Sequence, residues 1–164
     1  MRWILKVALL YFALGTSCAI GQGKEKFEAL FIYKFCDYVK WPTDNMTKVV
    51  GVYGNPDVVM ELKKISASSE KISIRSLNDL KEASDCDIVY VSESQRSVLT
   101  NIRSVAQANN VLVVSENDAT VSQGACIGFY TENGRLKFAM REPTVDAYAL
   151  KVSGTLASLA KIVK

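Results

Sequence analysis

The chain has 164 residues, of which 49% are hydrophobic, with 20 Lys and Arg against 17 Asp and Glu and no histidine. A net charge of +3 spread over the whole length gives nucleic acid no electrostatic footprint. Without imidazole there is no Ser-His-Asp or Cys-His catalysis, no His-liganded zinc and no imidazole base at neutral pH.

The first element is a leader. Met1-Arg2 precedes an apolar run from Trp3 to Leu14 interrupted only by Lys6, and small residues follow from Gly15 to Gly21. Val7 to Leu14 is too short to span a bilayer, which needs roughly 20 apolar residues, but suits the h-region of a secretory signal. Ser17, Ala19 and Gly21 place cleavage near Ala19 to Gly21, so residues 1–21 are expected to be removed and 22–164 to form one exported, periplasmic domain. The alternatives are an uncleaved anchor or a lipoprotein acylated at Cys18, although Gly15 stands where a lipobox wants a branched aliphatic. Loss of Arg2 and Lys6 takes the charge from +3 to +1. Cys36, Cys86 and Cys126 remain, an odd number in a compartment that permits disulfides.

Glu25 to Lys40 reads as an aromatic helix stopped by Trp41-Pro42. Its apolar residues cover more than the ~100° that one sheet-facing helix needs. Two readings follow: deep burial between the sheet and a terminal helix, or a homodimer or partner surface on Phe27, Phe31, Tyr33 and Tyr38, since aromatics are frequent interface anchors. Lys48 to Tyr53 is a buried strand, Gly54 to Asp57 a turn, and Asp57 to Ser66 a helix with Val58, Leu62 and Ile65 on one face. Lys71 to Arg75 alternates as a short strand, and Leu77 to Ala83 is a short helix or loop. Asp87 to Val91 is a second buried strand, Ser94 to Asn109 a helix, and Val111 to Ser115 a third buried strand. Strands separated by helices pair in parallel through right-handed crossovers.

The pattern then changes. Asn133-Gly134 between Cys126–Tyr130 and Arg135–Met140 is a hairpin signal. Pro143 suits a first helical turn, and Val145, Ala149, Val152, Leu156, Leu159 and Val163 follow at heptad spacing. The expected class is α/β: a three-layer sandwich whose mostly parallel sheet is extended by an antiparallel hairpin, with a long C-terminal helix on the sheet or sharing an interface.

Ligands of open α/β sheets sit beyond the carboxyl ends of strands. That directs attention to Asn55, to Ser92 and Glu93, and to Ser115, Glu116 and Asn117. The same residue types cap helices by accepting from free amides, so capping and effector binding compete for these positions. No G-x-S-x-G, Walker loop, G-x-G-x-x-G or C-x-x-C occurs, and no cofactor, metal or catalytic residue is assigned. An enzyme would have to use Asp85, Asp87 or Glu116, yet Asp87 begins its strand and lies at the wrong end of a parallel sheet to meet Glu116.

In order and spacing, FIYKFCDYVKWP, VVGVYGNP, CDIVYVSES, VLVVSEND, SQGACIGFY, RLKFAM and ALKVSGTLASLAKIV resemble the YfiR family of periplasmic regulators, from about Phe27 to Val163. The resemblance implies a protein without catalytic chemistry that binds the periplasmic region of an inner-membrane GGDEF protein, restraining a diguanylate cyclase and lowering cyclic di-GMP and biofilm formation. A small-molecule sensor module for a sensor kinase or transporter is the alternative, with an effector at the strand tips. Departures from the family pattern fall at Gly124-Ala125, where Gly-Gly is common, and at Arg141, often asparagine. Some relatives pair the Cys86 position with a cysteine in the first strand; Lys48 to Val52 supplies none, so that redox bridge does not carry over. A Cys86–Cys126 bond would require Cα atoms within about 7 Å and is not favoured.

Overall fold

The structure is a computed structural model describing residues 23–164; the leader reading for residues 1–21 lies outside them. In chain order the elements are α1 (Lys24–Tyr38), β1 (Val39–Lys40), β2 (Lys48–Tyr53), α2 (Pro56–Ser66), β3 (Ile72–Leu77), β4 (Ile88–Val91) and α3 (Leu99–Asn109). There follow β5 (Leu112–Ser115), β6 (Ile127–Glu132), β7 (Arg135–Met140), α4 (Glu142–Ala147), β8 (Lys151–Val152), α5 (Gly154–Leu159) and β9 (Lys161–Ile162). Short 3₁₀ segments span Leu80–Asp85, Glu93–Val98 and Asp118–Gln123.

Seven strands form one sheet in the order β3-β2-β4-β5-β6-β7-β9. From β3 through β6 the neighbours are parallel, and β7 turns back antiparallel on β6 through Asn133-Gly134, as the hairpin signal predicts. Register places Val52, Tyr90 and Val114 side by side, and Val114 beside Ile127. Alternation then puts these residues, with Phe129 and Phe138, on one face. That face receives α1: Phe31 and Phe35 meet Phe129 and Phe138 with ring centroids 5.6–6.3 Å apart. Packed alongside α1 is α2, while α3 is the helix associated with the Leu80–Asp85 and Asp118–Gln123 segments. Gly128 and Gly51 belong to the opposite face, where Asn117 and Asp118 crowd the first and Leu77 and Cys86 the second. The result is the expected α/β sandwich with a mostly parallel sheet.

The long C-terminal helix does not form. Its span is divided into α4, β8, α5 and β9. Ala149 adopts φ +55°, which ends the first piece, and Ser153 begins the second by accepting from the Leu156 amide at 3.2 Å. Between them Val152 pairs antiparallel with Val39, and the Ser153 amide donates to the Tyr38 carbonyl at 2.8 Å. Lys161 and Ile162 pair with Ala139 and Met140 of β7. Of the heptad residues only Val145 and Leu156 are buried, whereas Leu159 is 67% exposed. Tyr148 and Leu150, off the heptad register, are buried instead. A helix of six residues is marginal alone. Strand pairing on either side of α5, by β8 with β1 and by β9 with β7, supplies backbone partners that a continuous helix would have forgone.

Two smaller differences have local causes. Ser94 to Asn109 splits because Gln95 leaves helical geometry, at φ −110° and ψ 17°. The Leu77–Ala83 region resolves into a 3₁₀ turn with a capping box: Glu82 accepts from the Asp79 amide at 3.3 Å and Asp79 from the Lys81 amide at 2.9 Å.

Candidate functional site

The strand order reverses direction of growth between β2 and β4, so a switch point lies at their carboxyl ends, where ligands of open α/β sheets bind. Gly54 closes β2 at φ +74°, and a Cβ there would lie 2.4 Å from the Gln95 side chain and 2.6 Å from Ser92 Oγ. Only glycine combines that φ with that approach without strain. The carboxyl ends of β2 and β4 are therefore closely packed against one another.

Sequence-selected tips are placed there as follows. Asn55 Oδ1 accepts from the Asp57 and Val58 amides, both at 3.2 Å, and caps α2. Ser92 is buried, with its hydroxyl 2.8 Å from that of Ser94. Ser115 is buried and bonds the Asn117 carbonyl at 2.9 Å, while Asn117 Oδ1 accepts from the Ala119 amide at 2.9 Å. The Glu93 side chain is exposed and its amide donates to Glu116 Oε2 at 2.8 Å. Asn55→Ala is expected to destabilise the protein by about 1 kcal/mol through loss of the cap, measured by urea unfolding.

At the same end, α1 contributes residues that the sequence pattern does not announce. The buried stripe of α1 and its extension runs Glu28, Ile32, Phe35, Val39, at spacings of 4, 3 and 4, and its first member is a carboxylate. Glu28 has no solvent exposure. Its Oε2 accepts from the Tyr90 hydroxyl at 2.9 Å, and its Oε1 has no hydrogen-bond partner. Lys24 Nζ stands 3.4 Å from Oε1, close enough to pair charges but not aligned for a hydrogen bond, and instead bonds Glu116 Oε1 at 2.6 Å. The signal available in the sequence was a glutamate on an otherwise apolar stripe.

Electrostatics separate the two carboxyls. Burial pushes Glu28 up to about 7, against the pull of Lys24 and Tyr90. Burial also works against ionising Glu116, but the Lys24 bond and the Glu93 amide outweigh it and hold that carboxyl below its ordinary value. Desolvation opposes the Lys24 charge, and its contacts with Glu116 and Glu28 more than compensate, raising its pKa. Tyr90 is held protonated by burial and by the nearby Glu28 and Glu116 charges. The arrangement is an ammonium shared unequally by a buried and a half-buried carboxyl.

Asp87 lies at the other end of the sheet, where its carboxylate accepts from the Val49 amide at 2.7 Å and its carbonyl from Trp41 Nε1 at 3.2 Å. It does not converge with Glu116. No cluster of three or more acidic or cysteine side chains suited to a metal occurs among the described residues. Cys36, Cys86 and Cys126 are free thiols, and burial pushes them up to about 11, 11 and 12. Such thiols are poorly nucleophilic.

The aromatic positions of α1 divide. Phe31 turns inward to the rings of Phe35, Phe129 and Phe138. Tyr33 is half-buried under Lys71, whose ammonium lies 4.5 Å from its ring centroid, and its hydroxyl reaches Ser69 at 3.3 Å. Phe27 and Tyr38 remain outside at 53% and 38% exposure, joined by Leu30 at 43%, a residue not selected from the sequence as surface. One cleft of about 330 Å³ lies at the amino ends of the strands around Trp41, Asp85 and Asp87, and another of about 580 Å³ runs along α2 beside Met60 and Lys63. Neither is lined by the strand tips.

No described helix is long and apolar enough to cross a membrane. Among solved structures the chain is similar to a conserved domain protein from Vibrio cholerae O1 biovar El Tor, with 14% identity and a TM-score of 0.63 over 85% of this chain and 60% of that one. It is also similar to an ABC domain in complex with L-Trp from Streptococcus pneumoniae, with 10% identity and a TM-score of 0.52 over 71% of this chain and 55% of that one. The chain thus spans a little over half the length of either structure, and at these identities the likeness concerns the fold. No curated protein matches the sequence. The family model described as YfiR/HmsC-like (DUF4154) matches residues 25–161, from the first turn of α1 to the β9 edge, so the chain belongs to the YfiR/HmsC-like family.

Proposed function

We propose that residues 22–164, exported behind the leader at 1–21, act in the periplasm as a regulatory binding protein that restrains an inner-membrane signalling protein. The partner is the periplasmic region of a GGDEF protein, and the consequence is lower cyclic di-GMP and less biofilm. Family membership supports the class. The observation that carries the reading is the outward face of α1. A helix whose opposite side is fully engaged with the sheet still presents Phe27, Leu30 and Tyr38 to solvent, flanked by exposed Lys26 and Lys34. Exposed aromatics of this kind anchor interfaces.

Two measurements test it. Deleting the gene should raise cyclic di-GMP, and unchanged levels would remove the cyclase from the proposal. The pair Phe27→Glu and Leu30→Glu, both at exposed sites, should leave unfolding within about 0.5 kcal/mol of wild type at each position while abolishing capture of the GGDEF partner. Normal capture would place the interface elsewhere. Sedimentation of the same variant separates partner binding from a homodimer built on this face.

A second reading, as a small-molecule sensor module, draws on the switch point at the strand ends and on the L-Trp complex of the Streptococcus structure. It expects a thermal shift with one small molecule and capture of no GGDEF protein.

A further inference from the structure

We propose that the buried Glu28 carboxyl is a proton-operated latch on the first two turns of α1, holding them on the strand ends when protonated and loosening them when ionised. A carboxylate is an acceptor with about four lone-pair sites. Glu28 has no solvent exposure, one donor on Oε2 and none on Oε1. A buried ion is tolerated when it is paired and hydrogen-bonded on all sides. Here the pairing is incomplete, because the Lys24 ammonium is committed to Glu116 at 2.6 Å and only approaches Glu28 at 3.4 Å.

The groups acting on Glu28 come from every side of the cluster. Lys24 of α1 favours its ionised form, as does the Tyr90 hydroxyl of β4, which donates to it. Glu116, beyond β5, opposes ionisation as a like charge, and Asn55, beyond β2, is within reach of Tyr90. Burial outweighs the two favourable contacts and carries Glu28 from the ordinary 4.5 to about 7. The folded chain therefore holds this proton more tightly than a chain in which α1 has opened. Its contribution is fully present below about 4.5, falls as pH rises, and is spent above about 7. Glu116, with its pKa lowered, acts in the opposite sense below the ordinary carboxylate range, so Glu28 governs the interval from pH 5 to 8. The turns it secures carry Phe27 and Leu30, which would make partner docking sensitive to the pH outside the inner membrane. That last consequence rests on the docking reading; the latch does not.

Amide hydrogen exchange of Phe27 to Ile32 in the purified exported chain tests the latch without any partner. After correction for intrinsic base catalysis, opening of these turns should be about tenfold more frequent at pH 8 than at pH 6, as expected for a carboxyl whose pKa moves from 7 to 4.5 on opening. Glu28→Gln keeps an acceptor for Tyr90 and cannot titrate, so its opening should be flat over the same range. Carboxyl-carbon NMR of the wild-type glutamates gives an independent reading, with a Glu28 midpoint near 7. A wild-type midpoint near 4.5, or a Glu28→Gln chain that retains the tenfold rise, would overturn the latch. Should the variant fail to fold, the wild-type titration decides alone. Failure here leaves the docking proposal intact, and failure to capture a partner leaves the latch intact.

Discussion

Phe35→Ala is expected to destabilise the protein by about 3–5 kcal/mol, lowering its melting temperature by roughly 10–20 °C. Phe35 is fully buried, lies 6.3 Å from Phe129 and 5.6 Å from Phe138 between ring centroids, and is followed in α1 by the turn into β1. Truncation removes apolar contact from α1, β6 and β7 together, and the aromatic rings that remain are themselves held by the sheet and cannot close the space. Thermal and urea unfolding should agree, with an unchanged urea slope marking a loss of stability rather than a change in compactness. A loss under 1 kcal/mol would mean that α1 is not seated on this face.

Gly128→Ala is expected to cost about 1–3 kcal/mol for a different reason. A methyl at Gly128 would lie 2.6 Å from the Asn117 carbonyl oxygen and 2.6 Å from Asp118 Cα. These are backbone atoms, so no side chain can rotate away, and the Asp118–Gln123 turn must shift with Ser115 and Asn117. Gly154→Ala is the control, because a methyl there meets nothing within 4 Å. Equal unfolding midpoints for the two variants would contradict the close approach of that turn to β6.

Much of the parallel half was legible because its signals are local. Lys48 to Tyr53 and Val111 to Ser115 are near-continuous apolar runs, as expected of strands covered on both faces. Asn133-Gly134 specifies its own turn, and the helix end expected at Lys40, before Trp41-Pro42, lies two residues past Tyr38, where α1 stops. The C-terminal region misled for an equally definite reason. Spacings of 3 and 4 from Val145 to Val163 match a heptad, but the partners that decide the conformation are Val39, Lys40, Ala139 and Met140, far away in sequence. Ser153-Gly154, in the middle of the span expected to form one helix, is the start of a separate one.

The tips show the same division. Asn55, Ser115 and Asn117 were legible as polar ends of strands, and their hydrogen bonds are the local ones that such residues make with neighbouring amides and carbonyls. Glu28 was not legible as a site residue. Its importance comes from Tyr90, 62 positions away, and from the competition between Glu28 and Glu116, 88 positions apart, for one lysine.

By itself, then, the amino-acid sequence determined the α/β class, the helix-to-strand order from β2 through β5, the hairpin, the exclusion of histidine chemistry and the order of motifs that the family shares, whereas Val39 and Lys40, read as the end of the first helix, form β1. Those properties depend on periodicity, turn chemistry and composition, all of which act within a few residues. Only the tertiary structure decided that the chain from Glu142 to Ile162 alternates between short helices and short strands, that Phe31 faces inward while Leu30 faces out, and that a glutamate lies buried at the strand ends. Each of those outcomes depends on burial and on partners brought together by the fold, and free energies of burial and pairing are set by three-dimensional neighbours rather than by chain position.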